Sequence, residues 1–371
     1  MKKYQTNNKT INLSLMAFIS AVGITACGGS SGSSPQTPQT TEPVSQTELP
    51  KLSVSSIEEG SAIYLNGLYT GMVTPADVNV PAGEHTIGIG LKNSKNYLKK
   101  LVTVEDNTST QTLSLNNDDL QAAKEWKALF IGINSAKIPN GNCTSEFTTA
   151  ELDAGFQFLK WSFEERLEDY SYNTVDWSFD RFDITQTVTL NSDAVLTPGI
   201  IDSYLADKNV AVGDYDHIIT FYRGGDVYDE AGASTGQECE LGAFQGLGWY
   251  EYDDLAVNAS YVQIRYWDNI IAAIDYSKAD EHDPGMFIHE WLHSVAEING
   301  KTFFKGQGYS MPSSDGNVVH AAGAYNYTYP WMTWYQDIIS GQVEDNGKYI
   351  GITPEAFLAC SVREKVLGQC D

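Results

Sequence analysis

The sequence predicts an α+β protein in two folded parts, a small all-β module followed by a larger α+β domain. Three observations carry that prediction. Residues 51–117 alternate apolar and polar side chains between turn signals such as "LNGLYTG" and "PAGEH", the pattern of short antiparallel strands. From residue 122 the texture changes to apolar runs mixed with helices that announce their own starts. Within that second part, "MFIHEWLHSVAEING" (286–300) sets two histidines four apart with a glutamate directly after the first.

The elements follow in chain order. Lys2, Lys3 and Lys9 precede "INLSLMAFISAVG", an apolar stretch too short and too early for a stable membrane span. It runs into "ITACGG", where small residues precede Cys27. That order resembles a bacterial lipobox, which implies a signal peptide over 1–26, a lipid on Cys27 and attachment to a membrane by that lipid. Gly28 after the cysteine resembles lipoproteins released to the outer membrane, so the expected location is the outer membrane or cell surface. Residues 27–50 lack aromatics and are rich in Gly, Ser, Thr, Pro and Gln, the composition of a flexible tether. Some 70 residues then suffice for the β module, and 122–371 is long enough to bury a real core.

Inside the larger part, "KALFIGIN" (127–134) and "DHIITFYR" (216–223) read as buried strands. "TTAELDAGFQFLKWSFEERLEDY" reads as an amphipathic helix capped by Thr148 or Thr149. Thr197-Pro198, Asp283-Pro284 and Thr353-Pro354 each pair a capping residue with proline at the first helical position.

Charge and cysteines bound the function. Lysine and arginine number 23 against 48 acidic residues, a formal charge of −25, which repels nucleic acid and excludes it as a partner. Acidic turns such as "YEYDD" and "DYD" offer the oxygen ligands that Ca²⁺ takes, but no stretch matches an EF-hand loop. Besides Cys27 there are Cys143, Cys239, Cys360 and Cys370, an even number that suits an oxidising compartment. Cys360 with Cys370 is the economical local loop, leaving Cys143 with Cys239; free buried thiols are the other reading. There is no CxxC, so the cysteines do not suggest a thiolate zinc site.

The 286–300 segment carries the chemistry. A helix starting at Asp283-Pro284 and ending at Gly300 projects His289 and His293 from one face, one turn apart. That spacing lets two imidazoles reach one tetrahedral Zn²⁺, while Glu290, one step round the helix, is placed to take a proton from water. Met286, Ile288, Leu292, Val295 and Ile298 are apolar enough to seat the helix in a core. Two histidines bind zinc weakly, so a third ligand is required. His320 lies 27 residues after His293, past a Gly/Pro/Ser loop that lets the chain return, and Asp315 is the alternative third ligand. Glu297 is too far along the axis to share the ion and is suited to orient a histidine instead. A phenol hydroxyl fits the stabilisation of a tetrahedral oxyanion; Tyr327 is the first candidate and Tyr325 the second.

Two resemblances add to this reading. "S-x-x-x-G-S-A-I-Y-L-N-G-x-Y-x-G-x-x-T-P" followed by "V-P-A-G-E-H-T-I" is similar to the PEGA domain over residues 51–115, with "IEEGSA" (57–62) standing where PEGA usually has Pro-Glu-Gly-Ala. It implies a spacer or wall-associated binding module. "HEWLH", then "DGNVVH", then "YNYTYPWMTWYQDIISG" resembles secreted bacterial zincin-type metallopeptidases over residues 210–341. It implies a substrate lying along an edge strand before the metal helix, for which "SYVQIRYWDN" (260–269) is the candidate. The resulting expectation is a cell-surface zinc endopeptidase acting on protein or peptide. A zinc amide hydrolase acting on peptidoglycan or glycoprotein-associated peptide, and a non-catalytic surface-binding lipoprotein, are the alternatives.

Overall fold

The computed structural model describes residues 49–106, 110–139, 144–224, 246–266, 270 and 285–370. Cys27, Cys143, Cys239, the tether, His282 and the Asp283-Pro284 pair lie outside the described residues.

The N-terminal module is two small sheets packed face to face. β1 (Lys51–Ser56), β4 (Ala76–Asn79) and β7 (Gln111–Leu115) form one, in the order β4-β1-β7. β2 (Ala62–Leu65), β3 (Leu68–Val73), β5 (Gly83–Gly90) and β6 (Tyr97–Val104) form the other, in the order β3-β2-β5-β6. The inward residues of both, among them Leu52, Val54, Ile63, Ile87, Ile89, Leu98 and Leu113, make one core. Asn66 and Gly67, both at positive φ, turn β2 into β3, the Asn-Gly chemistry that a two-residue hairpin demands.

The module is seated on the rest of the chain by a belt of tyrosines. Tyr64 and Tyr97 are fully buried and meet Tyr172 from the larger part. Tyr64 donates to the Ser340 carbonyl at 2.8 Å, and Gln342 Nε2 donates to Tyr64 and Tyr172 at 2.9 Å each. Lys99 pairs with Glu355 at 2.7 Å, and Tyr97 donates to the same carboxylate. Gly88 and Gly90 make room for the rings: a Cβ on Gly90 would stand 2.5 Å from the ring of Tyr172.

In the larger part the central sheet runs β11-β8-β13-β15-β14, built from β8 (Lys124–Ile133), β11 (Val175–Ile184), β13 (His217–Arg223), β14 (Gly246–Gly248) and β15 (Ser260–Tyr266). The first four in that order are mutually parallel, and β14 closes the described sheet antiparallel to β15; β9 (Ser135–Lys137), β10 (Ser145–Glu146) and β12 (Val188–Thr189) make a separate small sheet. This departs from the α+β expectation toward a mixed α/β architecture, with β–α–β crossovers through α1 (Thr149–Lys160) and α2 (Pro198–Asp207). The physical reason is burial on both faces: every residue of β13 and β15 is buried, so their runs do not alternate. Residues 260–266 of the candidate substrate strand are accordingly interior rather than edge, and β14 is the edge of the described sheet.

Local signals account for the helices. Thr148 caps α1 in a capping box with Glu151, and a π-helical segment (Trp161–Leu167) carries the helix on to Tyr170. Glu151 is itself buried against Arg223, whose guanidinium also lies over the Phe147 ring. Two further helices are α3 (Met286–Val295) and α4 (Met332–Ser340). Asp216, fully buried, accepts from the Lys127 and Arg363 backbone amides and pairs with the Arg363 side chain, which fixes the C-terminal segment to the foot of the sheet. Cys360 and Cys370 form a disulfide with Cα atoms 5.8 Å apart. Among the described residues no helix is long and apolar enough to cross a membrane.

Candidate metal centre

α3 is buried along almost its whole length, with His289 its one half-exposed residue. It ends at Val295 rather than at Gly300; Gly300, at φ +70°, belongs to the turn beyond. Trp291 anchors the helix in an aromatic box with Phe163, Trp177, Phe304 and Phe357. The opposite side of α3 lies against β14 and β15.

The glycines of β14 determine how close that approach is. A Cβ on Gly248 would stand 2.6 Å from the His293 Cβ and 2.9 Å from the Glu290 carbonyl oxygen. On Gly246 it would stand 2.3 Å from the Glu290 carboxyl carbon. Gly248→Ala must push strand and helix backbones apart, so it should cost about 1–3 kcal/mol. Urea titration of the variant checks this, and an unchanged midpoint would show that the two elements are not in contact.

His289 and His293 meet as their spacing requires, and His320 joins them from a 3₁₀ segment (Val319–Tyr325). The Nε2 atoms of His289 and His320 are 3.1 Å apart, and those of His293 and His289 are 3.2 Å apart. Three nitrogens bound tetrahedrally to one zinc stand about 3.3 Å apart, so the spacing is that of a ligand set. Asp315 is outside the cluster, at positive φ in an exposed turn closed by Ser314 and Asn317.

The outer nitrogens are held as well. His293 Nδ1 lies 2.8 Å from Glu297 Oε1, and His289 Nδ1 lies 2.8 Å from the Tyr335 hydroxyl. The Glu297 carboxylate can only accept, so His293 donates from Nδ1 and turns Nε2 inward, and the Tyr335 hydroxyl holds the His289 ring with its Nε2 inward as well. Glu297 is itself fixed by the Val318 and Val319 backbone amides at 2.7 and 3.3 Å, which ties the His320 segment to the ligand it supports. Burial, then the neighbouring His293 and His320, hold the His289 pKa well below the usual imidazole value. His320 is also lowered, by desolvation and then His293. His289 and His320 are therefore held as neutral imidazoles, the form that binds a cation.

Tyr335 was not among the candidate residues, although it sits in the "TWYQD" stretch. Tyr335→Phe should weaken metal affinity about 10- to 100-fold while leaving the three ligands in place. Competition with a metal-binding dye measures the effect, and equal affinities would make the contact incidental.

Tyr325 and Tyr327, the two candidate phenols, pack on Trp334 instead, the first stacked and the second tilted, with centroids 5.5 and 4.9 Å away. The Tyr327 hydroxyl donates to Asp337 at 2.6 Å, and burial followed by that carboxylate raises its pKa. The Tyr325 hydroxyl accepts from the Ser313 amide. A different phenol lies beside the histidines. Tyr250, two residues past β14, sets its ring 6.3 Å from that of His293. Burial, then the charges of Glu297 and Glu290, raise its pKa, so it remains a hydrogen-bond donor.

Glu290 is 6% exposed, on the side of α3 that Gly246 covers. The arrangement as a whole provides three imidazole nitrogens converging on one point, one carboxylate beside them and one phenol at the rim. These residues fit a zinc ion by donor type and spacing.

No curated protein matches this chain. Residues 49–119 match the family model of the PEGA domain, and the N-terminal β module is PEGA-like.

Proposed function

We propose that the chain is a zinc-dependent endopeptidase of the zincin type, held at the cell surface by a lipid on Cys27. The observation that carries this reading is the convergence of three Nε2 atoms, two of them with their outer nitrogens anchored by Tyr335 and Glu297. A zinc ion bound there supplies Lewis acidity toward a carbonyl oxygen and lowers the pKa of water. Glu290 takes the proton of the attacking water on its carboxylate and returns it to the departing amine. Tyr250 donates to the oxyanion from the rim, the role first assigned to Tyr327 or Tyr325. β14 gives an extended substrate a strand edge beside Glu290, and its glycines keep that edge free of side chains next to the carboxylate.

The test is zinc content by mass spectrometry in the wild type and in His320→Ala, alongside hydrolysis of a denatured protein substrate. One zinc per chain, lost from the variant together with hydrolysis, supports the reading. Zinc retained in full by the variant would move the third ligand elsewhere. A wild type that takes up no zinc would remove the enzyme reading altogether.

A further inference from the structure

A second cleft, of about 650 Å³, opens where the β module meets the hairpin of β16 (Val343–Asp345) and β17 (Lys348–Ile350). Its walls include three half-buried tyrosines: Tyr69 from β3, Tyr349 from β17 and Tyr309 from the loop after Gly306. Tyr69 and Tyr349 meet edge to face at 4.7 Å, which fixes both ring planes.

Gln307 and Thr353 are two polar side chains that line this cleft. Gln307 Nε2 and Thr353 Oγ1 are buried, and among the described residues neither has a hydrogen-bond partner. Buried donors are nearly always paired, so two orphans on residues that line one cavity point to a partner there. Thr353 adds a second sign. This β-branched residue is held at φ 74°, ψ 149°, a region otherwise left to glycine. Such outliers persist where the surroundings over-determine them, and they gather at ligand sites.

We propose that this cleft binds a neutral oligosaccharide, with sugar faces on the tyrosine rings and hydroxyls on Gln307 and Thr353. Flat apolar rings beside amide and hydroxyl groups match a pyranose, which has C–H faces and a hydroxyl rim. Charge argues against an acidic ligand, because the chain carries −25. A peptide adding a strand to β3 is disfavoured by Gly71, whose φ of 77° accompanies a shift of register in the β2–β3 pairing. The Tyr349 ring also occupies the space over Gly71, where a Cβ would stand 2.5 Å from it. This inference does not depend on the metal centre.

Isothermal titration calorimetry of the purified full chain tests it, with tetra-N-acetylchitotetraose, cellotetraose, maltotetraose and a neutral alanine-rich tetrapeptide as probes. At least one sugar should bind, and Thr353→Val and Gln307→Leu should each weaken it tenfold or more. Tyr349→Ala should do the same, with circular dichroism confirming that each variant is folded. The two polar substitutions leave the tyrosine belt untouched and keep the test valid if Tyr349→Ala unfolds. Absence of binding by all three sugars at millimolar concentration overturns the proposal. So does binding that Thr353→Val and Gln307→Leu both leave unchanged. Peptide binding lost in those variants, without sugar binding, would make the cleft a peptide groove.

Discussion

Glu290→Gln should lower peptide hydrolysis by about 10²- to 10⁴-fold while leaving zinc content at the wild-type level. Glutamine keeps the shape of glutamate and its contact with β14, but it has no site for the proton that leaves the attacking water. The carboxylate is next to the histidines in sequence without being part of the ligand cluster, so the ion should not notice the change. Metal content and hydrolysis, measured on the same preparation, separate the outcomes. A variant that keeps its zinc and its activity would remove Glu290 as the base. A variant that loses its zinc would show that the carboxylate holds the site together rather than moving protons.

The second large effect concerns acid. His217 is fully buried at the start of β13, its Nδ1 2.7 Å from the Ser260 hydroxyl and its ring stacked on Phe163. Its Nε2 has no partner among the described residues, and burial pushes its pKa from 6.5 down to about 3. The unfolded chain takes up a proton below about pH 6.5 that the folded chain refuses. Stability from this group is therefore complete above pH 6.5 and falls by about 1.4 kcal/mol per pH unit as pH drops toward 3. Between pH 6.5 and 4.5 the loss is about 2 kcal/mol. His217→Asn should be less stable at neutral pH but should show a pH slope shallower by one proton. Comparing the two proteins by denaturant melts cancels the acid sensitivity of the metal ligands, which both share. Equal slopes would mean that His217 titrates normally in the folded chain.

Much of the site was legible because its signals are local. The capping box of Thr148 and Glu151 is a four-residue pattern, and the i, i+4 histidines with Glu290 between them need only helical geometry. The i, i+4 relation of His293 and Glu297 is as local, and it points to the same orienting contact. What escaped depends on the tertiary fold. β14 is three residues long, Gly-Leu-Gly, too short for any periodicity, and its role comes only from lying against α3. Tyr325 and Tyr327 pack on Trp334 while Tyr335 and Tyr250 lie beside the histidines, and a cluster of tyrosines in sequence does not disclose that sorting. The parallel order of the central sheet was hidden for a related reason. Strands buried on both faces give continuous apolar runs that carry no directional signal.

The tyrosine belt also sets an order of events. Tyr64 bonds to residues 276 and 278 positions further along the chain, at Ser340 and Gln342. A ribosome makes the β module first, and that module has a core of its own to fold around. Its tyrosine face, however, stays uncovered until the stretch from Ser340 to Glu355 has been made and folded. For that interval the chain carries a half-finished surface of Tyr64 and Tyr97, open to wrong partners. Contacts at such long separation close late and slowly. The joint between the two parts is thus a checkpoint in time, closing only after the histidine-bearing helix and the segment carrying His320 have been synthesised.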